Sequence, residues 1–222
     1  MLKTLTQGPN AVLFDLDGTL LDTARDLGNA LNHVLTQCDL AMVKYDQYRN
    51  IASDGAKGLL ELGFAEKLKD YNFSILRQEL LDYYQKNICV DTCYFEGIET
   101  LLKELDTLNI PWGIVTNKPE FLTLELVSFF PQLRDCQVVI SGDSLAERKP
   151  HPLPLLEAEK RLKLANPNTW YLGDAERDIQ AANAANMTSV AALYGYIDKS
   201  INVDSWQANI KIENPTDILA YL

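Results

Sequence analysis

Apolar and polar residues follow one another along this chain in two different rhythms. Ala11–Phe14 is a short apolar run that closes in a polar turn, the pattern of a buried strand. From residue 24 to residue 35, Leu27, Leu31, Val34 and Leu35 recur at helical spacing. Phe73, Leu76, Leu80, Tyr83 and Asn87 continue a helical register, and nothing strand-like interrupts residues 24–88. After Phe95 the rhythm changes. Ile98–Leu108 reads as helix, Trp112–Val115 as strand, Glu120–Phe130 as helix and Gln137–Ile140 as strand. Pro152 and Pro154 suit a first helical turn, which Leu155–Leu164 continues. Thr169–Leu172 then predicts a strand, Glu176–Ala185 a helix and Thr188–Leu193 a strand.

Strands alternating with helices imply βαβ units and a parallel sheet. The expected fold is therefore α/β, a doubly wound Rossmann-like parallel sheet built from residues 1–20 and 95–222, with a helical cap domain inserted at residues 21–94. A length of 222 residues suits one main core with a smaller insertion. An insertion directly after the first strand would overhang the carboxyl end of the sheet, where open α/β folds bind ligands. The inserted segment is expected to act as a lid.

Composition narrows the function. The hydrophobic share of 47% and charged share of 23% are those of an ordinary globular protein. No apolar run is long enough to cross a bilayer, and Met1–Asn10 has one Lys and no apolar stretch of signal-peptide length. The reading is a cytoplasmic protein with no membrane partner. A net charge of −11 argues against nucleic acid as a partner. A small anion can still bind where a metal and a few cations reverse the field locally. Of the four cysteines, Cys89 and Cys93 lie close in sequence, but no second pair or His cluster completes a zinc site. Together with Cys38 and Cys136 they read as free thiols of a reducing compartment.

Four polar clusters each follow a predicted strand. Asp15, Asp17, Gly18 and Thr19 follow Ala11–Phe14, and Thr116 and Asn117 follow Trp112–Val115. Lys149 comes shortly after Gln137–Ile140, and Gly173, Asp174 and Asp178 follow Thr169–Leu172. In a parallel sheet all four meet at one edge. Each has a plainer reading when taken alone. Asp15–Thr19 could be a polar turn, Thr116-Asn117 a turn or helix cap, Lys149 a surface lysine and Asp178 an exposed helix residue. A calcium loop fails, because the glycine comes fourth rather than sixth and a strand rather than a helix precedes it.

Phe14-Asp15-Leu16-Asp17-Gly18-Thr19-Leu20, then Thr116-Asn117, then Lys149-Pro150, then Gly173-Asp174 with Asp178, resemble the four ordered motifs of haloacid dehalogenase-like hydrolases. The inserted block resembles the helical cap of their phosphoglycolate phosphatase-like branch. The resemblance implies a Mg²⁺-dependent phosphatase acting on a small phosphorylated metabolite. Asp15 would attack phosphorus and form an aspartyl-phosphate. Asp15, Asp174 and the main-chain carbonyl of Asp17 would hold the metal, which offsets the repulsion between nucleophile and phosphate. Asp17 would protonate the leaving alcohol and then activate water, a role that calls for a carboxyl pKa raised by its surroundings. Thr116 would donate to a phosphoryl oxygen with the Asn117 amide nearby, and Lys149 would add positive charge against the transition state. Asp178 is expected to hold Lys149 or a metal-bound water.

In the cap, Ser53-Asp54-Gly55-Ala56-Lys57 resembles the segment that faces the phosphatase site, and Asp54 departs from the small residue expected there. Ser53, Gly55 and Lys57 are candidate substrate contacts, although Lys57 reads first as an exposed helix lysine. His33 and His151 read as a surface or boundary residue and a loop residue. Trp112–Pro119, Gly195-Tyr196-Ile197 and Trp206 resemble the bacterial branch that contains phosphoglycolate phosphatase and N-acetylmuramic acid 6-phosphate phosphatase, and the last two features lean toward the second, a cell-wall recycling enzyme. Asn186 stands where this branch more often has Gly, and Asn tolerates the left-handed backbone a helix end needs. A phosphosugar mutase would keep all four motifs. A non-catalytic binding protein should have lost at least one of Asp15, Asp17, Lys149 or Asp174. A dehalogenase has no use for an acid at position 17. Monomer and homodimer remain equally compatible.

Overall fold

The computed structural model describes residues 8–165 and 167–222. The start of the chain, read above for a secretion signal, lies mostly outside the described residues. Six parallel strands form the main sheet: β1 Ala11–Phe14, β2 Trp112–Val115, β3 Val138–Ile140, β4 Thr169–Gly173, β5 Thr188–Ala192 and β6 Ile210–Ile212. Their order across the sheet is β3-β2-β1-β4-β5-β6. The order reverses direction beside β1, and ligands of open α/β sheets bind at such a switch point. Two short strands, Leu21–Asp22 and Cys93–Tyr94, pair separately.

Register explains how the faces fill. Leu13 lies opposite both Gly113 and Tyr171. On that face Leu13, Val115, Val138, Ile140 and Tyr171 form one core with Leu155, Ala158, Ala181 and Ala182, which come from the helices Leu153–Leu162 and Glu176–Ala184. On the other face Phe14 packs edge-to-face on Trp112 at 6.3 Å. The helix Ile98–Thr107 meets that face through Asp106, whose carboxylate accepts the Trp112 indole N–H at 2.9 Å. Helices thus cover both faces. Asn186 takes a φ of 58° after the helix Glu176–Ala184, the left-handed step its side chain tolerates.

The elements match the hydrophobic rhythm except at a few points. Glu120–Phe130 stops as a helix at Ser128, and a further turn, Pro131–Arg134, follows. The edge strand Ile210–Ile212 had no forecast, because three residues with Lys211 in the middle carry no readable alternation.

The chain divides into two compact units, the residues up to Leu21 with Tyr94–Leu222, and Asp22–Cys93. The second unit is helical: Ala24–Gln37, Tyr45–Tyr48, Gly55–Phe64 and Phe73–Lys86, joined by 3₁₀ turns at Arg49–Asp54 and Ala65–Asp70. Leu27, Leu31, Val34 and Leu35 are buried as their spacing requires. In Phe73–Lys86 the buried face is centred on Leu76, Leu80, Leu81 and Tyr84, about one position on from the register read in the sequence. Tyr83 sits at its edge, stacked on His33 at 4.2 Å. The Asp26 carboxylate accepts N–H bonds from Val90, Asp91 and Thr92 at 3.0–3.2 Å, which ties the end of this unit to its first helix.

Candidate active site

The site gathers at the carboxyl ends of four adjacent strands, β3, β2, β1 and β4. Asp15 continues β1, and its N–H donates to the Leu172 carbonyl of β4 at 2.8 Å. Thr116 continues β2, and its N–H donates to the Ile140 carbonyl of β3 at 2.9 Å. Asp174 follows β4, and Lys149 arrives from the loop after β3. Main-chain bonds of the sheet thus hold the Asp15 and Thr116 backbones.

Lys149 is the hub. Its side chain is fully buried, and its ammonium lies 2.9 Å from Asp15 Oδ1 and 2.8 Å from Asp178 Oδ1. It also donates to the Val115 carbonyl at 3.0 Å and to the Tyr171 hydroxyl at 2.7 Å. Asp178 has a second duty: its other oxygen accepts the Ala175 N–H at 3.0 Å and so caps the helix Glu176–Ala184. Asn117 grips the Lys149 backbone from both sides, donating to its carbonyl at 3.0 Å and accepting its N–H at 3.1 Å. The amide expected near the phosphate is thus engaged in placing the Lys149 loop.

Asp15, Asp174 and Asp178 are all buried, and each offers a carboxylate oxygen within 4.8 Å of the others. Burial pushes the Asp15 carboxyl above its usual range, with Lys149 pulling it back and Asp178 pushing it further up. Asp174 is pushed up to about 7, first by burial and then by the charges of Asp178 and Asp15. Three carboxylates against the Lys149 ammonium leave surplus negative charge in a low-dielectric place. Hard oxygen donors with surplus negative charge are what a divalent cation such as Mg²⁺ binds. The residues present fit a metal.

Two glycines let these groups approach. Gly18 has a φ of +84°, and a Cβ there would lie 2.2 Å from Asp174 Oδ2. A Cβ on Gly195 would lie 2.3 Å from Asp174 Cβ and 2.5 Å from the Gly18 carbonyl. The next residue, Tyr196, donates its N–H to Asp174 Oδ2 at 2.9 Å. Gly195-Tyr196 thus clamps Asp174, and Trp206 is buried against Ile179 and Ala191. The two features that leaned toward one substrate have structural duties in the core unit.

Two side chains at the site escaped the sequence reading. Tyr171 looked like one more buried strand residue, although a phenol in an apolar strand needs a partner and finds it in Lys149 and Val115. Lys118 places its ammonium 3.0 Å from Asp17 Oδ1. Its signal was its position directly behind Thr116-Asn117 at a strand end. Ser53, Gly55 and Lys57 lie in the helical unit. Ser53 is in the Arg49–Asp54 turn, and Gly55 has a φ of +62° where that turn passes into the next helix. Lys57 is exposed and pairs with Glu61 at 3.7 Å, as a surface helix lysine does. His151 is exposed and accepts the Leu153 N–H at 3.1 Å. All four cysteines are free, and no described helix is long and apolar enough to cross a membrane.

A family model described as haloacid dehalogenase-like hydrolase matches residues 12–192. A phosphoglycolate phosphatase of Xanthomonas campestris pv. campestris is 43% identical over 210 residues, which cover 95% of this chain and 95% of that protein. An N-acetylmuramic acid 6-phosphate phosphatase of Pseudomonas putida is 34% identical over 208 residues, covering 94% of this chain and 93% of that protein. In fold, the crystal structure of a predicted phosphoglycolate phosphatase from Haemophilus somnus matches with a TM-score of 0.86 at 24% identity, covering 97% of this chain and 98% of that one. The chain belongs to the haloacid dehalogenase-like hydrolase family. It is an enzyme of the phosphoric monoester hydrolase class.

Proposed function

We propose that this enzyme hydrolyses a small phosphorylated metabolite, with 2-phosphoglycolate the first candidate, through a covalent phosphate on Asp15. The observation that carries the reading is the buried set formed by Asp15, Lys149, Asp174 and Asp178 at the sheet's switch point. The choice of 2-phosphoglycolate is supported by relatives of that name at 43% identity, against 34% for the N-acetylmuramic acid 6-phosphate phosphatase.

In this reading an Asp15 oxygen attacks phosphorus, and the bond from phosphorus to the ester oxygen breaks. Asp17 gives its proton to the departing alcohol. It then takes a proton from water, whose oxygen attacks phosphorus and releases Asp15 and free phosphate. Lys149 holds the Asp15 carboxylate and faces the growing negative charge. The Thr116 hydroxyl accepts the Lys118 N–H at 3.2 Å, so its own proton is available for a phosphoryl oxygen. Asp17 is paired with Lys118 through both oxygens, and proton donation from Oδ2 requires only the longer contact, at 3.4 Å, to give way. Asp15, Asp174 and the Asp17 carbonyl would hold Mg²⁺, which supplies positive charge to screen nucleophile from phosphate. The helical unit is read as the lid that sets substrate choice, with Ser53, Gly55 and Lys57 as contacts. Its support is its insertion just after the strand that carries Asp15. Free thiols fit a cytoplasmic setting.

The test is phosphate release with Mg²⁺, comparing kcat/KM on 2-phosphoglycolate and N-acetylmuramic acid 6-phosphate. The reading expects a clear preference for the first and no release after chelation. A preference for the sugar phosphate would move the substrate to that class. Isomerase activity without phosphate release would restore the mutase reading.

A further inference from the structure

Lys118 has two separate attachments at the site. Its backbone is anchored: the N–H donates to Thr116 Oγ1 at 3.2 Å, and the carbonyl accepts from the Gly142 N–H at 2.8 Å and from Thr123 Oγ1 at 3.3 Å. A Cβ on Gly142 would lie 2.2 Å from the Asn117 carbonyl, so this close crossing of loops needs glycine. The side chain then runs inward, only 5% exposed, and its ammonium reaches both oxygens of Asp17 at 3.0 and 3.4 Å. A lysine is rarely buried without a reason of charge. Here the partner is the carboxyl read above as the proton carrier, contributed by a segment 101 residues away.

The geometry points to Lys118 as a positioning residue that aims the Asp17 carboxyl at the leaving oxygen. This rests on the reading of Asp17 as the acid. A carboxyl group turns freely about its last bond. One ammonium shared by both oxygens selects an orientation of the plane, and a misplacement of about 1 Å at such a group costs about 10²-fold in rate. Because the Thr116 contact comes from the Lys118 backbone, a side-chain substitution leaves the phosphate-facing hydroxyl in place. The substitution therefore isolates the ammonium's effect on Asp17.

The experiment compares Lys118→Met, Lys118→Arg, Asp17→Asn and the Lys118→Met/Asp17→Asn double variant on two substrates, the alkyl ester 2-phosphoglycolate and the aryl ester p-nitrophenyl phosphate. An alkoxide needs a proton to leave and a nitrophenolate does not. Because Asp17 also serves the water step shared by both esters, the readout is the single-turnover rate of alcohol release: Lys118→Met should lower it on the alkyl ester roughly 10- to 100-fold and on the aryl ester by less than about threefold, with KM nearly unchanged. Added to Asp17→Asn it should cost less than about twofold more, because the group it aims is gone. Lys118→Arg, which still donates to a carboxylate, should recover most of the loss. A role confined to folding would lower both substrates alike. Equal losses on the two esters would overturn the proposal, as would a loss that multiplies with Asp17→Asn. A rise in KM confined to the carboxylate-bearing substrate would overturn it in favour of direct contact between Lys118 and substrate. Should Lys118→Met fail to fold, Lys118→Gln carries the same comparison. Failure of the underlying reading is seen separately: Asp17→Asn alone would then spare the alkyl ester, and the proposal would fall with it.

Discussion

The Lys149 ammonium lies 2.7 Å from the phenolic oxygen of Tyr171, whose own proton is donated to the Val115 carbonyl at 2.7 Å. Burial holds that phenol well above its usual pKa, so it stays neutral and accepts from Lys149. Tyr171→Phe removes one of the contacts that fix the ammonium while leaving Asp15 and Asp178 in place. The expected cost is about 1–2 kcal/mol of stability, read by urea denaturation. A fall of several-fold in kcat with KM unchanged should accompany it. Wild-type kcat would show that the two carboxylates and the Val115 carbonyl suffice to hold Lys149.

Removing Lys149 itself is a harsher change. Lys149→Met leaves Asp15 and Asp178 buried without their shared ammonium, and about 3–5 kcal/mol should be lost near neutral pH. Turnover should drop about 10²–10³-fold or more. Adding Asp178→Asn should restore part of the stability but none of the turnover, since it removes buried charge without replacing the cation at Asp15. Denaturation and steady-state rates on the same preparations separate the two effects.

Asp174 makes stability depend on pH. Its carboxyl is pushed from an ordinary 3.8 up to about 7. A carboxyl raised on folding binds more protons in the folded state. Its contribution is full below the unfolded value and is lost as pH rises toward the folded value. Metal-free protein should therefore lose stability between about pH 4 and pH 7, by at most about 1.4 kcal/mol per pH unit from this group. Saturating Mg²⁺ should flatten that slope and raise Tm most at the upper end. Thermal melts across that range, with and without Mg²⁺, check it. Stability that rises steadily with pH in metal-free protein would contradict the crowding of charge described here.

Gly195→Ala tests the clamp on Asp174. The added Cβ would lie 2.3 Å from Asp174 Cβ, so either Asp174 or the Tyr196 loop must move. Overpacking of this kind costs about 1–3 kcal/mol. A Mg²⁺ affinity weaker by about 10-fold or more, measured by calorimetry, would follow from a displaced ligand. Unchanged affinity would mean that Asp174 is placed by its strand alone.

The sequence pattern already held most of this arrangement, for a simple reason. Asp15, Thr116 and Asp174 each sit just past a strongly apolar run, so strand and site residue were read together. What stayed hidden depends on three-dimensional register. Tyr171 is apolar in pattern, and its hydroxyl reaches Lys149 only because β4 lies beside β1 with Tyr171 opposite Leu13. The ammonium of Lys118 finds Asp17 across two strand-end loops, which no local spacing encodes. Asn117 was read toward the phosphate because a free amide suits an oxyanion, and its grip on Lys149 needed the loop's path. Ile210–Ile212 is too short to show a period at all.

The central claim is that Asp15 carries the phosphate. The most direct measurement is to quench the enzyme during turnover of ³²P-labelled substrate, reduce the protein with borohydride and map the product by mass spectrometry. An acyl phosphate is reduced to an alcohol, so the account predicts labelled protein before reduction and homoserine at position 15 after it, only when substrate is present. Label and reduction at another residue, or full turnover with no labelled protein at any quench time, would contradict it.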